Sequence, residues 1–363
     1  MYLIHRVQLG FQLVVWLQSI SYGKSDNQPV FVEPFDLAAG GASLTRASQE
    51  GVLFSNPALM PWANKFYRWT GVETAIIFNT EAPEIAEKMS KNQSFDMATA
   101  LDSALDVPVH SGFLVSASTL TNNLGVSIFG RGEFDFETKS FSHSGIPVVQ
   151  ANAEIYGGAI VGYGGKLTQW SSLGISVKCL AAVVDKDVAI ELQDIIDGQG
   201  NGAESSPLAD LEEDTAGAGN PDGCSDFSGD IGLIFFSKGT YFDLKLALKG
   251  DNFGSSFFLP GYHVGLGFTL HGTREAIHFA LDYRDINNSL KEKTFKKIYT
   301  GIKILIGNYV GVAVGLYQGY LSTGIRIDAV LMQVGITRYK REYGDYLGEQ
   351  SRELVVAYLA TGI

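Results

Sequence analysis

Several things are scarce in this chain of 363 residues. Charged residues make up only 18 % and hydrophobic ones 45 %, a balance too apolar for a disordered chain. No uninterrupted apolar run reaches the ~18 residues that would suggest a membrane-crossing helix. No Gly-X-Y period is present, which excludes a collagen-like rod. Basic residues are outnumbered, 27 Lys and Arg against 39 Asp and Glu, for a net charge of −12. No basic face is visible, which argues against nucleic acid as a partner. The two cysteines, Cys179 and Cys224, form no CxxC pair. They could pair only on an oxidising export route, and one bridge would not staple a chain this long, so they read as incidental. The GxSxG, HExxH, GxGxxG and GxxxxGK motifs are all missing. Six histidines lie scattered over strands and loops. Nothing here points to an enzyme, and the sequence calls for no cofactor.

What is abundant is glycine and aromatic side chains: 42 Gly against 22 Phe, 16 Tyr and 4 Trp. Glycine is ~12 % where ~7 % is usual. The decisive pattern has period two. Tyr262, Val264, Leu266, Phe268 and Leu270 alternate with His263, Gly265, Gly267, Thr269 and His271. Ile277, Phe279, Leu281 and Tyr283 alternate with His278, Ala280, Asp282 and Arg284. Phe242, Leu244, Leu246 and Leu248 oppose Asp243, Lys245, Ala247 and Lys249. Such strict alternation marks half-buried strands. Many exceed the usual five or six residues and suit the ~9–11 of a tilted, bilayer-crossing strand. The small and charged residues occupy the face that a soluble protein would bury, and no set of helices is available to cover the bulky face. The economical solution is all-β: a closed transmembrane antiparallel barrel, apolar face to lipid and polar face to a lumen.

The periodicity predicts fourteen strands, near 65–79, 107–119, 123–136, 147–166, 171–185, 228–238, 239–250, 260–272, 273–285, 296–307, 308–319, 320–328, 329–342 and 351–363. Short and long connections alternate, as periplasmic turns and external loops do. In external loop 80–106, Ile85 and Met89, then Ala98, Leu101 and Leu105, fall at helical spacing, which predicts a helix whose Met89, Leu101 and Leu105 present an apolar surface for capturing a ligand. Loop 186–227 starts with a helical pattern (Val188, Leu192, Ile195, Ile196) and continues rich in Gly, Ser, Pro and Asp. Asp185 to Asp230 holds thirteen acidic residues and one Lys. Its Asp197-Gly198-Gln199-Gly200-Asn201-Gly202 run looks like the start of an EF-hand loop. Position twelve is Leu208, where a bidentate Glu is required, so the metal reading fails and a solvated charge run is preferred.

Residues 1–23 read as an export signal, with Arg6 ahead of an apolar stretch and small residues near Ser21 and Gly23. Between this signal and the first strand, segment 24–64 contains Gly40-Gly41-Ala42 and Asn56-Pro57-Ala58. A Gly-Gly-Ala stretch followed about fifteen residues later by Asn-Pro-Ala, just before the first of fourteen strands, resembles the FadL-like outer-membrane proteins. That superfamily includes the long-chain fatty acid transporters, the PorV-type proteins and the TraF-like proteins. Leu59 stands where a glycine often follows Asn-Pro-Ala in that family.

The resemblance implies a fourteen-stranded barrel in the bacterial outer membrane whose N-terminal segment folds into the lumen as a hatch. Asn56, Pro57 and Ala58 would belong to the hatch, with Gly40 and Gly41 supporting its path. It also implies capture of an apolar ligand by external loops and a sideways exit at a strand kink, which Gly130 and Gly132 would permit. The register points Asp243, Lys245, Lys249, His263, His271, His278, Asp282, Arg284 and Lys303 into the lumen. A salt-bridged wall bracing the barrel is the plainer role for them, and guiding a solute the sharper one. The expected partners are a hydrophobic small molecule and outer-membrane lipid or lipopolysaccharide. The leading function is passive uptake of small hydrophobic molecules such as long-chain fatty acids. The alternative is a non-transporting partner of a secretion or conjugation apparatus.

Overall fold

The computed structural model describes residues 31–47, 51–62, 67–80, 109–139, 148–191, 226–272, 275–307, 309–329, 331–344 and 346–362. The expected export signal at 1–23 and the expected capture helix with Met89, Leu101 and Leu105 lie outside them.

Fourteen strands form one closed antiparallel barrel in which each strand pairs with its neighbours along the chain. They are β1 (Tyr67–Asn79), β2 (Val109–Thr121), β3 (Leu124–Lys139), β4 (Val148–Lys166), β5 (Ser171–Glu191), β6 (Asp226–Lys238) and β7 (Phe242–Phe253), followed by β8 (Gly261–His271), β9 (Glu275–Tyr283), β10 (Ile298–Ile306), β11 (Val310–Tyr317), β12 (Tyr320–Asp328), β13 (Met332–Glu342) and β14 (Ser351–Gly362). The barrel closes where β1 meets β14, from Thr70 opposite Gly362 to Asn79 opposite Leu354. Closure removes every edge, so each strand backbone finds its partners within the wall, as a hydrocarbon surround demands.

Period two sorts the side chains. Ile76, Ile128, Leu266 and Ile336 stand exposed on the outer face, while Ala75, Phe129, Thr337 and Tyr339 are buried on the inner one. Short turns gather at one end of the barrel, where Trp170, Tyr241 and Tyr309 are exposed. Aromatic rings at that level are what a membrane interface favours. The long connections leave from the opposite, loop end.

Two short helices precede β1: α1 (Pro34–Ala38) and α2 (Val52–Ser55), followed by a 3₁₀ turn at Pro57–Trp62. Pro34 occupies the first turn of α1, where its missing N–H costs nothing, and the Glu33 carboxylate accepts the Asp36 N–H at 2.9 Å. Gly40 and Gly41 end α1 at φ +66° and +73°, values open to glycine but strained for other residues.

Two expectations are corrected. Val188, expected to open a helix at the start of loop 186–227, is in strand instead: β5 runs on to Glu191, which pairs with Val148 of β4, and Leu192, Ile195 and Ile196 lie outside the described residues. Pairing along β4 overrides local spacing there. Cys179 is not an incidental thiol, for it is disulfide-bonded; Cys224 lies outside the described residues.

Candidate functional site

The N-terminal segment lies inside the barrel, against its inner wall. Its backbone comes so close that the wall must be glycine at the points of contact. A side chain at Gly301 or Gly315 would collide with the backbone of Ala39 and Gly40, and one at Gly232 with the Asn56 amide. Polar anchors surround these contacts. Ser322 donates to the Ala38 carbonyl at 3.1 Å and accepts the Gly40 N–H at 3.0 Å. Thr337 donates to the Pro34 carbonyl at 2.9 Å. Lys303 pairs with Asp36. One Asp282 oxygen accepts the N–H groups of Ser43 and Leu44, at 2.7 and 3.0 Å, and Arg284 donates to the Gly41 carbonyl at 2.5 Å.

Further along, Asn56 closes the segment on itself, donating to the Leu44 carbonyl at 3.2 Å and accepting the Ala58 N–H at 3.1 Å. Ser172 donates to the Ala58 carbonyl at 2.6 Å, and Lys249 to that of Phe54 at 2.9 Å. Pro57 packs its backbone against Gly174 of β5. Bonds to charged groups are worth about 1.5–3 kcal/mol each. Burial of Phe35 and Leu53, both almost fully enclosed, adds about 1.5–3 kcal/mol apiece. The segment is held by many modest contacts spread around the wall.

On the loop-end side of the segment is a cavity of about 80 Å³. Phe31, Leu44, Phe54, Phe258 and Tyr299 give it an apolar flank. The opposite flank is charged but largely paired. Lys249 stands 3.2 Å from Asp251, and Lys297 stands 3.0 Å from Asp285. His263 accepts the Asp285 N–H on Nδ1 at 3.1 Å and presents Nε2 to Asp251 at 3.0 Å. Lys296 also lines the cavity; it is buried, and its ammonium has no ion-pair partner among the described residues.

Towards the turn end, Asp243 contacts His271 at 2.7 Å and Thr269 meets His278 Nδ1 at 2.9 Å. Lys245 lies over the Phe236 ring at 5.3 Å. Burial pushes the Arg46 guanidinium down to about 10, with Arg326 adding to the shift and Asp36 and Asp243 opposing it. Gly130 and Gly132 sit on the outer face of β3. That strand is paired without register breaks to β2 over 125–136 and to β4 over 124–139, so no kink opens there. The ladder irregularities among described residues fall in β1 at Thr70–Glu73, in β4 at Ala151–Ala153 and between β6 and β7 at Gly229–Ile231.

The structure therefore places Asp243, Lys245, His263, His278, Asp282, Arg284 and Lys303 on the inner wall, and brings Arg284 to Gly41, Asp282 to Ser43 and Leu44, and Lys303 to Asp36. Asp243, Lys245 and His278 form a separate group nearer the turns. Sequence reasoning missed Asp36, Ser322, Thr337 and Lys296. Asp36 carried a usable signal, as an acid four residues before the glycine pair and in need of an inward cation. Lys296 carried a misleading one: it opens the strand expected at 296–307, where its parity is opposite to that of inward Lys303, whereas in the structure it lies in a 3₁₀ turn ahead of β10.

No family model matches the sequence, and neither does any curated protein. Solved structures do match. The TodX monoaromatic hydrocarbon channel in its deltaS2S3 mutant superposes with a TM-score of 0.54 at 12 % identity, covering 94 % of this chain and 98 % of that one. The toluene transporter TodX of Pseudomonas putida gives 0.52 at 11 % identity, over 94 % and 99 %. The CymD monoaromatic hydrocarbon channel gives 0.51 at 9 %, over 93 % and 98 %. Identities this low speak to architecture alone, and on that ground the chain is a closed fourteen-stranded barrel with the fold of the FadL-family outer-membrane channels.

Proposed function

We propose that this protein is an outer-membrane barrel through which a small hydrophobic compound passes passively, with residues 24–64 as its hatch and residues 1–23 as its export signal. The observation that carries the reading is the cavity between the hatch and the loop end, flanked by Phe31, Phe54 and Phe258, inside a barrel whose outer face is apolar. The toluene and monoaromatic channels that share the fold support it. Size bears on the cargo. A protein cavity of about 150 Å³ holds benzene, so this one, at about 80 Å³, must nearly double for a single ring and grow far more for a long acyl chain. A monoaromatic compound is the better fit.

Uptake of labelled toluene and of a labelled long-chain fatty acid by cells lacking the protein, with and without its restoration, tests this. Restored toluene entry is the expected result. Equal uptake in both strains for both compounds sinks the reading.

A second reading, a non-transporting partner of a secretion or conjugation apparatus, draws on the hatch that fills the lumen and on the paired charges around the cavity. It predicts no uptake difference and a stable complex recovered from outer membranes by mild detergent.

A further inference from the structure

The outer face of the barrel is apolar almost everywhere. Among its described side chains, the turn-end residue Glu275 aside, charge is confined to one place on β13 and β14. Arg338 and Lys340 point outward there, in step with Val334 and Ile336, and Glu353 points outward beside them. Arg338 is 65 % exposed and pairs with Glu353. Lys340 lies opposite Glu353 in the ladder and over the Tyr320 ring at 5.1 Å. The next outward carboxylate, Glu342, is already engaged by the loop, accepting the N–H groups of Gly344, Gly348 and Gln350 at 3.0, 2.7 and 2.7 Å. The patch thus turns two cations and the Glu353 carboxylate outward, while Glu342 keeps its charge buried against the loop.

Its height is informative. Lys340 lies two residues from the loop end of β13, and Arg338 four. A charge on the lipid face is costly at mid-bilayer and nearly free at the interface, so the patch sits at the level of headgroups in the outer leaflet. Below it the wall continues as Ile336, Val334, Ile325 and Leu359, all exposed. Two outward-facing cations above an acyl-compatible wall, on one sector of the described outer face only, match an anionic lipid with its phosphate at the top.

Taking the outer-membrane placement of the proposed function as given, we propose that Arg338 and Lys340 form a docking site for one lipopolysaccharide molecule, holding a lipid A phosphate while its acyl chains lie along β12–β14. Arg338 supplies a planar fork of donors and Lys340 a point charge, both suited to phosphate.

The test is retention of hexa-acylated, bisphosphorylated lipid A by the full-length protein in phospholipid nanodiscs, read by native mass spectrometry. The wild type keeps one lipid A per barrel. Arg338→Gln with Lys340→Gln loses retention by about tenfold or more, as removal of charge-assisted phosphate contacts implies. Arg338→Lys with Lys340→Arg restores it. Dephosphorylated lipid A is held no better than phosphatidylethanolamine. Heat-shifted gel mobility establishes that each variant is folded, and Lys340→Gln alone serves if the double variant is not. Undiminished retention in a folded charge-removed variant overturns the proposal, as does equal retention of the dephosphorylated lipid. Absence of the protein from outer-membrane fractions would instead remove the reading on which the site rests.

Discussion

The two faces of the barrel wall are built from the same strands and obey opposite rules. On the outer face large apolar side chains are exposed and glycines meet side chains or open space: a Cβ at Gly132 would meet the Phe113 ring, and one at Gly157 nothing nearer than 3.8 Å. On the inner face charges are buried and paired, and glycines such as Gly301 and Gly315 sit in contact with another backbone. The difference shows that glycine carries two meanings here. Outside it is filler between bulky neighbours. Inside it is the socket into which the N-terminal segment fits. Charge likewise changes meaning, from interface marker outside to anchor inside.

Breaking that contrast gives graded expectations. The largest effect belongs to Gly301→Val, which drives a side chain into the Ala39 backbone. It should cost about 3 kcal/mol or more, as overpacking of a tight core does, and lower the urea midpoint of the refolded barrel. Leu266→Arg puts a charge mid-strand on the lipid face and should cost about 2–4 kcal/mol, read in the same denaturation experiment. Asp282→Ala removes the acceptor of two backbone N–H groups. About 2–3 kcal/mol should be lost, and the bonds around Ser43 and Leu44 should become open to protease while the barrel persists. The smallest effect belongs to Gly157→Val, the outward counterpart of the first change. It should shift stability by no more than about 0.5 kcal/mol. A large loss there would end the distinction between the two kinds of glycine.

Much of the wall was legible in advance. The strand expected at 320–328 is β12, Tyr320–Asp328, and the one expected at 351–363 is β14, Ser351–Gly362. The outward set Tyr262, Val264, Leu266, Phe268 and Leu270 keeps its parity throughout β8. Reading failed where a distant partner decided the outcome. Val188 has helical spacing with its neighbours, yet it extends β5 because Ala151 of β4 lies opposite it. Cys179 looked idle because its bond is long-range. Lys296 was misplaced because the expected strand at 296–307 gave it an outward parity, while a 3₁₀ turn points it inward.

The inner site follows the same division. The inward direction of Asp282, Arg284 and Lys303 comes from alternation, a local property of any strand. That Asp282 receives Ser43 and Leu44, that Lys303 meets Asp36, and that Arg284 reaches Gly41 depends on where the segment lies within the closed barrel.

The sequence by itself determined the strands, their two faces and the closed form, because side-chain period and the chemistry of a hydrocarbon surround act residue by residue. Only the tertiary structure decided which glycines are sockets, which charges are anchors and where a cavity remains. Those depend on closure of β1 against β14 and on contacts between residues hundreds of positions apart, as between Pro34 and Thr337, and no local pattern encodes them.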